Sequence, residues 1–124
     1  MVESAGNHPK TFNIKSAIVP IVNFARIYAL RHGVSDTNTL DRLDQLLRLG
    51  ILNKTSHAEL AEGYNALMQL RLKHQVELLT TDQEPDNHIN PRDLTAITRA
   101  LLKEIFAQIG LFQSKISLDF TGTT

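Results

Sequence analysis

Residues 56–80 read SHAELAEGYNALMQLRLKHQVELLT. At about 100° per residue, Tyr64, Leu67, Met68, Arg71, His74, Gln75 and Leu78 of this stretch fall within an arc of about 120°, the signature of a long amphipathic helix. Ser56 with Glu59 has the S-x-x-E capping pattern, so the spacing predicts a helix over 56–80. Three polar groups, Arg71, His74 and Gln75, share its apolar face. Burying an unpaired guanidinium is costly, so Arg71 must meet a carboxylate, several carbonyls or an anionic ligand. A closed network reaching Asp41 or Asp44 and a pocket between helices both meet that demand.

Working toward the N-terminus, Thr37, Asn38 and Thr39 are candidate caps. Leu40, Leu43, Leu46 and Leu47 recur at helical spacing, which predicts a short helix over 39–49 ended by Gly50. Before it, Ile18 to Arg31 is apolar on almost every side, as in a buried central helix over 18–31 with Pro20 near its start and Gly33 past its end. Arg26 is its lone interior charge, and an inter-helix salt bridge to Asp41, Asp44 or Asp86 is the simplest partner. His32 stands where a cation complements a helix C-terminus. Residues 1–13 are polar and aperiodic, with Gly6 and Pro9, and read as a flexible tail or linker.

Toward the C-terminus, 81–91 holds two prolines and several Asp and Asn residues and reads as an ordered turn region. Thr95 then caps a last helix over 95–117, with Leu94, Ile97, Leu101, Ile105, Ile109, Phe112 and Ile116 on its buried face. No stretch alternates with period two, although Lys115 to Phe120 has room to extend briefly, and 121–124 forms a tail. The expected fold is all-α, an antiparallel four-helix bundle occupying 14–120 as one domain.

Composition narrows the function. Thirteen Lys and Arg balance thirteen Asp and Glu, so no net positive field exists to hold a nucleic-acid backbone or an anionic membrane. The absence of cysteine excludes disulfides, thiolate metal sites and a cysteine nucleophile, and with no apolar run near ~20 residues the simplest compartment is cytoplasmic. Histidines 8, 32, 57, 74 and 88 lack paired helical spacing, so no metal site is expected. Asp82-Gln83-Glu84 reads as a solvated acidic loop. Asn53-Lys54-Thr55 reads as a glycosylation pattern only by overlap with a helix cap. No phosphate loop or nucleophile elbow occurs, so the chain has no catalytic residues of its own and no cofactor.

Four separated motifs, in order, carry a resemblance. They are Pro20-Ile21-Val22-Asn23-Phe24-Ala25-Arg26, Thr37-Asn38-Thr39-Leu40-Asp41-Arg42-Leu43, Leu70-Arg71-Leu72-Lys73-His74-Gln75, and Pro85-Asp86-Asn87-His88-Ile89-Asn90-Pro91, continued by Leu101-Leu102-Lys103-Glu104. Over about Ile14 to Phe120 the chain strongly resembles the nucleotidyltransferase substrate-binding domain of bacterial signal-transduction proteins. In that family the domain follows a catalytic nucleotidyltransferase domain, often with CBS or cyclic-nucleotide-binding domains upstream. The resemblance implies a full-length protein similar to the uridylyltransferases of the PII protein, with Mg²⁺ and a nucleoside triphosphate held by a catalytic domain outside this chain. It also implies recognition of a nucleotide or protein substrate by Arg26, Asn38, Arg42, Arg71, His74, Gln75, Asp86 and Asn87. Asn23 stands where the family usually has Asp, His88 where Tyr is usual, and Thr98 where Glu commonly precedes the arginine.

Three functional classes follow. An accessory recognition domain leads. A structural domain whose outer faces dock onto other domains or a second copy as a homodimer is the alternative. A helical ribonuclease using Arg26 and His32 ranks last, since these two side chains point about 120° apart on a regular helix.

Overall fold

Asn13 sets where the first long helix begins: its side chain accepts a hydrogen bond from Ser16 N at 3.1 Å, so α1 spans Ile14–Arg31 and starts at 14 rather than 18. The computed structural model describes the backbone of residues 2–5 and 8–121 and the side chains of 11–120. Met1, Gly6, Asn7 and 122–124, parts of the two expected tails, lie outside the described residues. Pro20 therefore sits inside α1, not at its start. Its missing N–H deprives the Ser16 carbonyl of its usual helical donor, and both residues line an open groove where water can supply one.

Three further helices follow: α2 (Thr39–Arg48), α3 (Lys54–Thr80) and α4 (Ala96–Thr121). Asn38 caps α2 by accepting from Leu40 N and Asp41 N at 2.9 and 3.3 Å. The cap of α3 is Asn53, which accepts from Ser56 N at 2.7 Å, so Ser56 lies inside the first turn rather than at its edge. Thr95 caps α4 as its sequence signal predicts, accepting from Thr98 N at 3.1 Å. Residues 115–120 stay helical instead of extending.

The first three helices end in the same way. Val34 N bonds Ala29 O, Ile51 N bonds Leu46 O and Gln83 N bonds Leu78 O, each at 2.8 to 2.9 Å, and the preceding residue takes positive φ. Gly33 (φ 71°) and Gly50 (φ 74°) fill that position in two cases, and Asp82 (φ 60°) in the third.

A small antiparallel sheet accompanies the four helices. β2 (His8–Asn13) lies between β1 (Val2–Ala5) and the two-residue β3 (His88–Ile89), in register Phe12↔Ile89 and Asn13↔His88. Phe12 and Ile89 are only 2% and 3% exposed, so the segment before residue 14 contributes to the core. No local signal marks this strand, because the pairing is non-local and β3 is too short to show alternation.

The core gathers Phe12, Ile14, Ile21, Phe24, Leu43, Leu46, Leu60, Leu67 and their neighbours around α1, which packs against each of the other three helices. Ile21 and Ile105 meet across Gly63, Phe24 meets Phe112 (5.1 Å between centroids), and Tyr28 meets Phe120 (5.3 Å). Residue numbers rise together in these contacts, so α1 and α4 run parallel, unlike neighbours in an up-down-up-down bundle. Ile14 N donates to Asn87 O at 2.8 Å, which brings the end of α3 back to the start of α1 and makes those two antiparallel. The three long helices thus run up, down and up, with the short α2 bridging the first two. Among the described residues no helix is long and apolar enough to cross a membrane.

Candidate functional site

The polar face of α3 finds its partners in the turn region that follows it. Because β3 pairs with β2, and Asn87 O accepts from Ile14 N, residues Asp86 and Asn87 are laid back over the C-terminal half of α3. Arg71 donates its Nε–H to Asn87 Oδ1 at 2.9 Å, and Gln75 Nε2 donates to the same oxygen at 3.3 Å. His74 Nε2 lies 2.9 Å from Asp86 Oδ1, an oxygen that also accepts from His88 N at 2.9 Å. The side chains of His74 and Asp86 are 19% and 39% exposed, so the pair sits at the rim of the packed region.

Five of the eight sequence-predicted residues, Arg71, His74, Gln75, Asp86 and Asn87, therefore converge. The other three do not join them. Arg26 is exposed and donates to Asn23 Oδ1 on its own helix at 3.0 Å, not to Asp41, Asp44 or Asp86. Asn38 is occupied as the α2 cap, and Arg42 Nε donates to Asp36 O at 2.8 Å, pinning the α1–α2 connection. Asp44 pairs instead with His57, at 2.8 Å.

Arg71 meets an amide oxygen instead of Asp41 or Asp44. Among the described residues no carboxylate pairs with it, so its charge is held in place without being neutralised. Beside this network a recess of about 70 Å³ lies between Leu70, His74, Glu77, Ile89 and Leu94. A broader groove of about 570 Å³ runs between α1 and α4, past Lys15, Val19, Pro20 and Gln113, and contains none of the predicted residues. The network, rather than the larger groove, is the candidate site because charge and convergent polar groups, not volume, select a ligand.

A second polar cluster had no signal in the sequence. Tyr28 OH donates to Asp119 Oδ2, Lys115 Nζ lies 3.1 Å from the same oxygen, and Arg31 lies over the Phe120 ring at 4.8 Å. Burial of Tyr28 and its bond to Asp119 push the phenol well above its ordinary range, while the hydrogen bonds from Tyr28 and Lys115 hold the Asp119 carboxyl below the usual carboxylate range. The two helices that carry these residues come together only in the fold. His32 stacks parallel to Tyr28, with ring centroids 6.5 Å apart, beyond the end of α1. No contact joins it to Arg26 among the described residues, so the ribonuclease pairing gains no support. No group of three His, Cys, Asp or Glu residues among the described ones is placed to hold a metal ion.

Comparison with curated proteins and with solved structures gives no match. One family model matches residues 1–120, a range that takes in the strand segment before residue 14 as well as the helices. The chain belongs to the family described as "Putative nucleotidyltransferase substrate binding domain".

Proposed function

We propose that the chain is the recognition module of a nucleotidyltransferase, binding a nucleotide or protein substrate through the Arg71 network while a separate catalytic domain performs the transfer. The observation that carries this reading is the state of Arg71: oriented by Asn87, half-buried, and paired with no carboxylate among the described residues. An oriented guanidinium has N–H groups left to grip a phosphate or carboxylate oxygen, and Gln75 and His74 lie one turn away to fix the rest of the ligand. Mg²⁺ and the nucleoside triphosphate would be held by carboxylates of the catalytic domain, in the same full-length chain, in a bacterial signalling protein of the cytoplasm.

Titration of the chain with UTP and with ATP, each with Mg²⁺, followed by NMR of the Arg71 Nε–H and the Gln75 and Asn87 side-chain amides, tests direct nucleotide recognition. Saturable shifts at those groups are expected. An unchanged spectrum at millimolar nucleotide would remove the nucleotide version and leave a protein substrate.

The structural alternative has one specific observation in its favour. Asn87 Oδ1 already accepts from both Arg71 Nε and Gln75 Nε2, so the network can act as a strut fastening the 81–91 turn to α3 without any ligand.

A further inference from the structure

A third concavity, sharing only Leu94 with the recess beside the α3 network, has the makings of a ligand pocket. It lies where β2, the 3-10 turn Pro91–Asp93 and the first turns of α4 meet. Phe12, Pro91, Leu94, Leu102 and Phe106 wall about 260 Å³, and the Phe12 and Phe106 rings stand edge to face at 5.8 Å and 76°. Arg99 and Lys103, one helical turn apart on α4, complete the lining, and no carboxylate belongs to it among the described residues. Arg99 is held across the mouth by its own hydrogen bonds: Nη1 donates to Leu94 O at 2.7 Å and to Pro91 O at 3.3 Å. An apolar floor with aromatic walls, rimmed by two cations of which one is fixed by the backbone, is chemically selective. It takes a flat apolar ring below and an anionic group above.

We infer that this pocket binds a planar ring bearing an anion, the ring seated between Phe12, Leu94 and Phe106 and the anion between Arg99 and Lys103. Its size suits a single ring system and excludes a folded peptide segment. An aromatic carboxylate and a nucleotide, with its base inside and its phosphate at the rim, share this chemistry. The inference stands apart from the role proposed for Arg71, since the pocket contains none of Arg71, His74, Gln75, Asp86 and Asn87 and shares only Leu94 with the recess beside them.

The test is NMR titration of the whole chain with UMP, with benzoate and with inorganic phosphate, each to about 5 mM, a range that reaches weak millimolar affinities. Saturable shifts at Phe12, Leu94 and Phe106 with at least one ring-bearing anion are expected. Benzoate binding would mark a general aromatic-anion site, and binding of UMP alone would mark a nucleotide site. Leu94→Trp, which fills the pocket, should abolish the shifts. Lys103→Glu, at an exposed position that leaves folding intact, should weaken binding about tenfold, whereas Lys54→Glu at the start of α3 should not. Absence of saturable shifts with both ring-bearing probes overturns the inference. So does equal binding by Lys103→Glu, or identical shifts with phosphate alone. Nucleotide shifts confined to Arg71, Gln75 and Asn87 would overturn it while supporting the α3 site.

Discussion

Arg71 and Asn87, sixteen residues apart, are joined by a 2.9 Å hydrogen bond from a guanidinium N–H to an amide oxygen, and that oxygen also serves Gln75. One acceptor thus holds two polar groups of α3. Asn87→Leu strips both donors of their partner while leaving the Asn87 backbone bond to Ile14 intact, and should cost about 1–3 kcal/mol. Arg71→Met removes the charged donor together with its need for a partner and should cost less. Urea unfolding of both variants and of the double mutant measures the coupling; a larger loss for Arg71→Met would mean its guanidinium has further partners that the hydrogen-bond geometry does not reveal.

The Tyr28–Asp119 bond predicts two pH limits. The Asp119 carboxyl is held below its ordinary range in the folded chain, so its stabilising contribution is present above the unfolded carboxylate range near 4 and is lost as the pH falls through the folded value. The phenol of Tyr28 is raised, so its contribution is complete below about pH 10 and is lost as the pH rises further, when the unfolded chain ionises first. Tyr28→Phe should be less stable than the parent at pH 7, and the gap should narrow by pH 3. The variant should also resist alkaline unfolding better. Equal pH profiles for the two proteins in urea denaturation would contradict the assignment.

Asp82 holds the left-handed conformation that glycine supplies at the two earlier helix ends. Asp82→Gly should therefore stabilise the chain by up to about 1 kcal/mol, and Gly50→Ala should destabilise it by a similar amount, both read from thermal unfolding.

Gly63 faces Ile105 and Ile21, and a Cβ there would lie 3.6 Å from Ile105 Cγ2 and 3.8 Å from Ile21 Cδ1, ordinary contact distances. Gly63→Ala should be neutral or stabilising by up to about 1 kcal/mol through helix propensity. Gly63→Leu should overpack the α1–α3–α4 contact and cost about 1–3 kcal/mol. Chemical denaturation of the pair separates propensity from packing.

Asn53 and Ser56 compete for one role in the sequence and have different ones in the structure. Asn53→Ala should cost about 1 kcal/mol as the loss of a cap, and Ser56→Ala little, since only its backbone N–H is engaged. The S-x-x-E pattern pointed to the wrong residue because Asn53 supplies the same acceptor three residues earlier.

The sequence by itself determined the four helices, since each carries its own periodic apolar stripe and its own start or stop signal: Asn38, Thr95, Gly33 and Gly50 act where local geometry alone requires them. It also determined that Arg71, His74 and Gln75 lie together, because one helix fixes their angular spacing. Tertiary structure decided what they meet. The two-residue pairing of Phe12 with Ile89 and Asn13 with His88 carries Asp86 and Asn87 onto α3, and so selects Asn87 over Asp41 or Asp44 as the partner of Arg71. The packing of the helices leaves Arg26 to its own helix, sets α1 and α4 parallel, and brings Tyr28 to Asp119. A helix signal is local because its hydrogen bonds span four residues. A strand of two residues and a hydrogen bond across ninety-one residues leave no periodic trace, and only the packed chain reveals them.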